Sequence, residues 1–292
     1  MKVGFDHEVL SSFYLWCDDR LNFFAEAYQP PISHTFEYVD SADIPIGWNA
    51  FYSPYRQFVW SSDVIAVANS VKIGGVTVLD KDGIFIDYNN GRILVDTSSR
   101  HGASKTLVIT GDFAYKTLNV YITDETEESV ILNSDFIISP ANQTFLQQNG
   151  GFGEKIYTVP AMFITLDNST NEPFAFGGMD QTILNVRSVV VADSNYTLDG
   201  ALSIFRDSAR TNFPLIDFND FPFGEFNHIK NPPYKYKDLI TASSSDCFID
   251  EVKASKLTDR SRERITGSKD YKIGFLDFKI SKARSPRQIF TR

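Results

Sequence analysis

The sequence predicts a mainly β protein: an antiparallel β-sandwich or barrel-like body with an N-terminal α-helix and an extended C-terminal segment. Three observations support this. Short runs of alternating β-branched and aromatic residues fill Val71–Thr123, turn signals punctuate them, and Phe5–Tyr28 carries apolar residues at a helical period.

In the helical stretch, Phe5, Val9, Phe13, Trp16 and Phe24 recur at steps of three to four, with Leu21 bridging one longer gap. Asp6 is placed to cap its start, and Pro30-Pro31 to end it. Tyr14, Leu15 and Phe23 make further faces apolar, so the helix is expected to pack on more than one side. His34–Val39 reads as a strand, and the aromatic-rich Ser41–Phe58 as a loop.

Asp82-Gly83 and Asn90-Gly91 supply the positive φ angles that tight hairpin turns demand, so 71–123 is read as an antiparallel meander. Ile84, Ile86 and Tyr88 share one face there, and Ile93 and Val95 one face of the returning strand. Leu118, Val120 and Ile122 alternate with Asn119, Tyr121 and Thr123 as in a half-buried strand. Further strands are expected over Val130–Ile138, Ile156–Leu166, Ile183–Ala192 and Tyr271–Ile280, and a short helix over Leu198–Arg210. Asn168–Gly178 reads as turns, and the phenylalanine-rich Asn212–Phe226 as an irregular wrap. The resulting division is a helix at 1–30, a β body at 31–231 with a subdivision near 142–153, and a basic C-terminal arm at 232–292.

Composition narrows the function. The 292 residues are 42% hydrophobic and 22% charged, a globular balance, with 25 Phe and 13 Tyr offering rigid contact surface. Met1–His7 carries acid where a signal peptide has its apolar core, and no run approaches the ~20 apolar residues of a membrane span. The expectation is a protein made in a cytoplasm, with no membrane partner. Cys17 and Cys247 fit no disulfide framework or metal spacing and are expected as free thiols.

His7, His34, His101 and His228 form no metal-binding or catalytic pair in sequence, and no phosphate-cradling loop is present. Asp80-Lys81-Asp82-Gly83 with Asp87 loosely resembles a calcium loop, but the turn reading accounts for the same residues. No catalytic residue, metal or cofactor is therefore expected. From Tyr234 onward 14 Lys or Arg face 8 Asp or Glu, leaving 14 and 29 to the rest of the chain. An acidic body with a basic end favours contact with another copy or another acidic surface. It also confines any nucleic-acid contact to the C-terminal arm.

Three stretches resemble tailed-bacteriophage virion structural proteins of the neck and tail-connector type: Asp82–Arg92, Phe113–Tyr121, and the run from Pro160 through Pro173–Gly178 to Asp207. The resemblance implies a virion component. With the rigid β body and the opposite charges of body and tail, the leading expectation is a non-enzymatic subunit of an oligomeric ring in the neck or head–tail connector or tail, tail-terminator or adaptor-like, beside other neck and tail proteins. Phe218, Phe221 and Phe223 are the expected apolar interface anchors, and Arg260, Arg262 and Arg264 the expected partners of acidic neighbours. The alternative is a tail or baseplate module binding host surface carbohydrate, with Trp48 and Tyr52 as stacking platforms.

Overall fold

The computed structural model describes residues 4–40, 44, 46–53, 55–61, 70–78, 83–102, 104–137, 156–175, 179–222, 234–241, 245–258 and 271–284. The protein is mainly β, with curled, largely antiparallel sheets and an N-terminal helix, as the alternation predicts.

Helix α1 (Phe5–Phe23) opens the fold. Gly4, without a side-chain cap, precedes it, so Asp6 is not the cap. Asp6 stands in the first turn, where its charge suits the helix dipole, and accepts a bond from Ser169 Oγ at 2.6 Å. Val9, Phe13, Tyr14, Leu15, Cys17 and Leu21 are all buried, which leaves the helix no solvent face along most of its length. It is the shared core of the molecule. Phe13 meets Phe213 and Phe278 on one side, while Tyr14 meets Trp60 on the other.

Strand β1 (Tyr28–Val39) follows directly and contains Pro30 and Pro31. The prolines fall at a register shift between Gln29 and Ile32, where a missing N–H breaks no ladder bond. They interrupt a strand instead of ending the helix, which stops at Phe23. Strands β2 (Trp48–Tyr52), β3 (Ser70–Ile73), β4 (Val76–Val78), β5 (Ile84–Asp87), β6 (Arg92–Asp96) and β7 (Ile109–Lys116) complete a seven-stranded sheet in the order β4-β3-β7-β1-β2-β6-β5. β1 pairs with β7 from Tyr28 to Phe36 and with β2 from Glu37 to Val39, so one strand joins the two halves of the sheet.

This order corrects the meander. β4 and β5 lie on opposite edges of the strand order and do not pair, so Gly83 (φ +79°) does not belong to a hairpin turn between them. Residues 79–82, the core of the calcium-like run, lie outside the described residues, and Asp87 pairs with Arg92 at 2.6 Å. The Asn89-Asn90-Gly91 turn does join β5 to β6, and Ile84, Ile86, Tyr88, Ile93 and Val95 share one core. Gly91 has φ +60°, and a Cβ there would sit 2.0 Å from the Tyr55 carbonyl oxygen. Gly91→Ala is therefore expected to destabilise the protein by roughly 2–3 kcal/mol, read by chemical denaturation.

Strand β8 (Asn119–Ile122) leaves the first sheet and pairs parallel to β11 in the second. Val120 and Tyr121 are both buried, in different clusters, so this strand is covered on two faces and not one. The run 130–138 is not a single strand. Thr126 caps Ser129 N–H, and Glu127 and Glu128 sit at the favourable end of helix α2 (Glu127–Asn133), after which β9 (Asp135–Ile137) pairs with β10 (Ile156–Thr158).

Strands β11 (Ala161–Ala175) and β12 (Met179–Ala192) pair over nearly their whole length. The 168–175 stretch, expected as turns, is thus strand, with the polar side chains of 168–172 exposed to water. Helix α3 (Asn195–Arg206) buries Leu198, Ala201, Leu202 and Phe205, near its expected span. β13 (Asn212–Leu215), β14 (Ser245–Lys256) and β15 (Lys272–Arg284) complete a six-stranded sheet in the order β13-β14-β15-β12-β11-β8. The described part of the expected C-terminal arm is therefore body: β14 and β15 are inner strands of this sheet. Its Lys and Arg occupy positions such as Lys253, Lys256 and Lys279, on exposed faces of those strands.

Candidate interaction surface

α1 ends in Phe23, Phe24 follows as its C-cap, and Ala25-Glu26-Ala27 turns the chain into β1. Where the rest of the helix is buried, these two rings emerge: Phe23 is 54% and Phe24 71% exposed. They stand edge to face at 5.4 Å. The Arg20 guanidinium lies 5.5 Å from the Phe24 ring centroid, and Lys237 Nζ lies 5.3 Å from that of Phe23. Cations over ring faces fix an aromatic pair that water would otherwise leave mobile.

Beside the pair runs a groove of roughly 760 Å³ between the Ala25–Ala27 turn, Leu118, Pro160 and the outer face of α3. Arg20 Nε donates to the Ile204 carbonyl at 3.1 Å, tying α1 to α3 across one end of it. Tyr196, 90% exposed, lines the groove, and Gly200 contributes a bare stretch of helix surface. An exposed aromatic pair at one end of a groove, with an exposed tyrosine lining it, marks a contact site.

A buried polar cluster holds the helix in place behind this surface. Asp18 is fully buried; its Oδ1 lies 2.5 Å from Lys116 Nζ at the end of β7. Its Oδ2 accepts from Trp60 Nε1 and, at 3.1 Å, from Asn22 Nδ2. Lys116 Nζ also stands 4.1 Å from the Trp60 ring centroid. Burial pulls the Lys116 pKa down, and Asp18 partly restores it. Burial first, then the charge of Asp18, pushes the Tyr14 hydroxyl well up.

Only part of the expected interface is in place to serve as one. Phe218 is 50% exposed on a short 3-10 turn and meets the edge of Phe221 at 6.0 Å. Phe221 itself is buried in the main core of its own subunit, so it is not available as an anchor. Phe223, Arg260, Arg262 and Arg264 lie outside the described residues. Tyr52 is 4% exposed, with its hydroxyl accepting from Arg92 Nη1 at 2.7 Å, and Trp48 packs on Phe85; Tyr52 offers no face to a sugar.

A second depression, of roughly 590 Å³, crosses the outer face of the second sheet. Two of its acids face cations: Asp277 lies 3.3 Å from Arg187, which also holds Glu127 at 2.8 Å, and Glu251 lies 3.3 Å from Lys253. Among the described residues no group of three or more His, Cys, Asp or Glu is placed to hold a metal ion, and no helix is long and apolar enough to cross a membrane. Both cysteines are free and buried. His34 is enclosed by Tyr55, Phe58 and Tyr115, and burial lowers its pKa.

The exposed pair Phe23-Phe24 was hidden by the helical stripe, which places Phe24 on the buried side. Two consecutive phenylalanines cannot both follow one stripe, and that is the signal the sequence held. No family model matches the chain, and no curated protein matches it in sequence.

Proposed function

We propose that this protein is a structural subunit of a tailed-phage virion, a tail-terminator or adaptor-like component of a ring in the neck or head–tail connector. The observation that carries the self-assembly is the exposed Phe23–Phe24–Tyr196 surface beside the α3 groove. Placement in a virion rests on the resemblance of 82–92, 113–121 and 160–207 to phage structural proteins. A ring subunit binds its neighbours through two different surfaces, closed by rotation. A rigid body built on one shared core suits that task.

The test is the copy number of the protein in purified particles. Several copies per particle are expected; absence, or a single copy, overturns the proposal. At the surface itself, Phe24→Ser is expected to leave the melting temperature within about 2 °C of the parent while weakening self-association about tenfold, measured by sedimentation velocity. The aromatic pair contributes little to its own fold because it is already in water.

A further inference from the structure

We propose that Asp18 and Lys116 condense inside the folded protein into an amide that links α1 covalently to β7. The inference stands apart from the virion reading, since it concerns the covalent structure of the chain itself.

An ordinary buried ion pair satisfies its charges with hydrogen bonds. This one does not. Lys116 Nζ and Asp18 Oδ1 are 2.5 Å apart, yet their contact lacks the angle of a hydrogen bond, and neither atom has a hydrogen-bond partner elsewhere among the described residues. An ammonium, with three protons to place, is left with one oxygen and the Trp60 ring face at 4.1 Å. That environment favours the neutral amine, and burial accordingly lowers the Lys116 pKa.

A neutral amine is a nucleophile, and an acyl carbon stands next to it. One carbon–oxygen bond beyond Oδ1, Cγ of Asp18 lies within about 3.7 Å of Nζ whatever the angle, close to the distance at which such groups react. Oδ2 accepts from Trp60 Nε1 and, at 3.1 Å, from Asn22 Nδ2. These two donors are already aimed at the oxygen that turns negative when a carboxyl carbon becomes tetrahedral, the arrangement that stabilises acyl transfer. The side chains of Lys116 and Asp18 are 1% and 0% exposed, and the rings of Tyr14 and Tyr234 flank that of Trp60. With water kept out, condensation is favoured over its reversal.

The step balances within the pair. The ammonium passes one proton to Oδ1, the amine nitrogen bonds to Cγ, and the Cγ–Oδ1 bond breaks. Oδ1 departs as water, carrying a second proton from the nitrogen. No oxidant, reductant or cofactor enters. Asp18 is both the acid attacked and the acceptor of the proton, so the conversion is slow: the freshly folded chain holds the ion pair, and the amide accumulates with age. Asp18 lies on the same helix as Phe23 and just upstream of it. The amide therefore anchors to β7 the helix that presents the exposed aromatic pair.

Full-length protein, fresh and after several days at neutral pH, tests this by intact mass and tryptic digestion. A growing fraction is expected to be lighter than its sequence by one water. That fraction is expected to yield a branched peptide in which residues 3–20 and 106–155 are joined through Asp18 and Lys116. Chain held in urea for the same time is expected to yield none, because only the fold brings the two groups together. Lys116→Arg, which keeps the charge without the nucleophile, is expected to keep its sequence mass. Trp60→Phe, checked for folding by circular dichroism, is expected to slow the conversion about tenfold or more through the lost donor to Oδ2.

An aged parent chain at its full sequence mass would overturn the inference. So would a loss of water traced to cyclisation at Asp82-Gly83 with no branched peptide, or a branched peptide that forms equally in urea.

Discussion

Lys116→Ala is expected to lower the stability of the fold by about 3–5 kcal/mol, the usual cost of stripping a buried ion of its partner. Asp18 and Lys116 are both excluded from water, and their pairing joins the middle of α1 to the end of β7. Removing the ammonium leaves a carboxylate held only by Trp60 Nε1 and Asn22 Nδ2, donors too weak to offset its lost hydration. Asp18→Asn fails for the mirror reason, leaving Lys116 charged beneath the Trp60 ring. The paired replacement Asp18→Leu with Lys116→Met is expected to recover much of the loss, since it removes both desolvation penalties together. Urea denaturation of the parent, the single variants Asp18→Leu and Lys116→Met, and the paired variant gives the coupling energy directly. A loss under about 1 kcal/mol in Lys116→Ala would show that water reaches the pair.

Alkali is expected to unfold the protein cooperatively above pH 10. Burial pushes up the pKa values of Tyr14, Tyr121, Tyr234 and Tyr236, and that of Tyr115 to about 12. The thiols follow: Cys17 is raised, and Cys247 reaches about 12 from an ordinary 9.0. Unfolded, these groups lose their protons near their ordinary values, while the folded chain retains them. Above those values the unfolded state therefore binds fewer protons, and stability falls as pH rises. Cys247 alone accounts for about 4 kcal/mol by pH 12, at 1.36 kcal/mol per unit. Lys116 and Lys282, whose values burial lowers, act with the opposite sign, but only up to their ordinary 10.5. Stability should thus hold to about pH 9 and then collapse. In an alkaline titration, a fraction of the 13 tyrosines should ionise only as the far-ultraviolet dichroism disappears. Smooth ionisation of every tyrosine near pH 10, with the dichroism intact, would contradict this.

Local chemistry made some elements legible and not others. Val9, Phe13 and Trp16 announce α1, Asn90-Gly91 announces the β5–β6 hairpin, and Leu198, Leu202 and Phe205 announce α3, because each signal lies within a few residues of what it specifies. The parallel pairing of β8 with β11, and the separation of β4 from β5 to opposite edges, depend on contacts between distant segments. The partner of Val76–Val78 is β3, across the two-residue Gly74-Gly75 turn, and nothing local places that hairpin on the edge opposite β5. The helix–strand division of 127–137 was lost because Val130, Ile131 and Leu132 suit both states, and the Thr126 cap decides between them. Charge counting could not distinguish a basic tail from lysines on the exposed faces of inner strands, which is what Lys253, Lys256 and Lys279 are. At the surface, the groove needed α1 and α3 to be brought together, and the Arg20–Ile204 bond that does so has no sequence signature.

Two elements far apart in the sequence meet in one hydrophobic interior: α1, and β15, the inner strand that packs beneath it and is made long after it. During synthesis, Phe13 and its neighbours must wait for Phe278 while most of the polypeptide is still being made. The nascent chain therefore carries an uncovered greasy helix until β15 has been made, and needs chaperone protection over that interval. Any truncation that removes β15 should leave a sticky, unfinished chain instead of a smaller working protein.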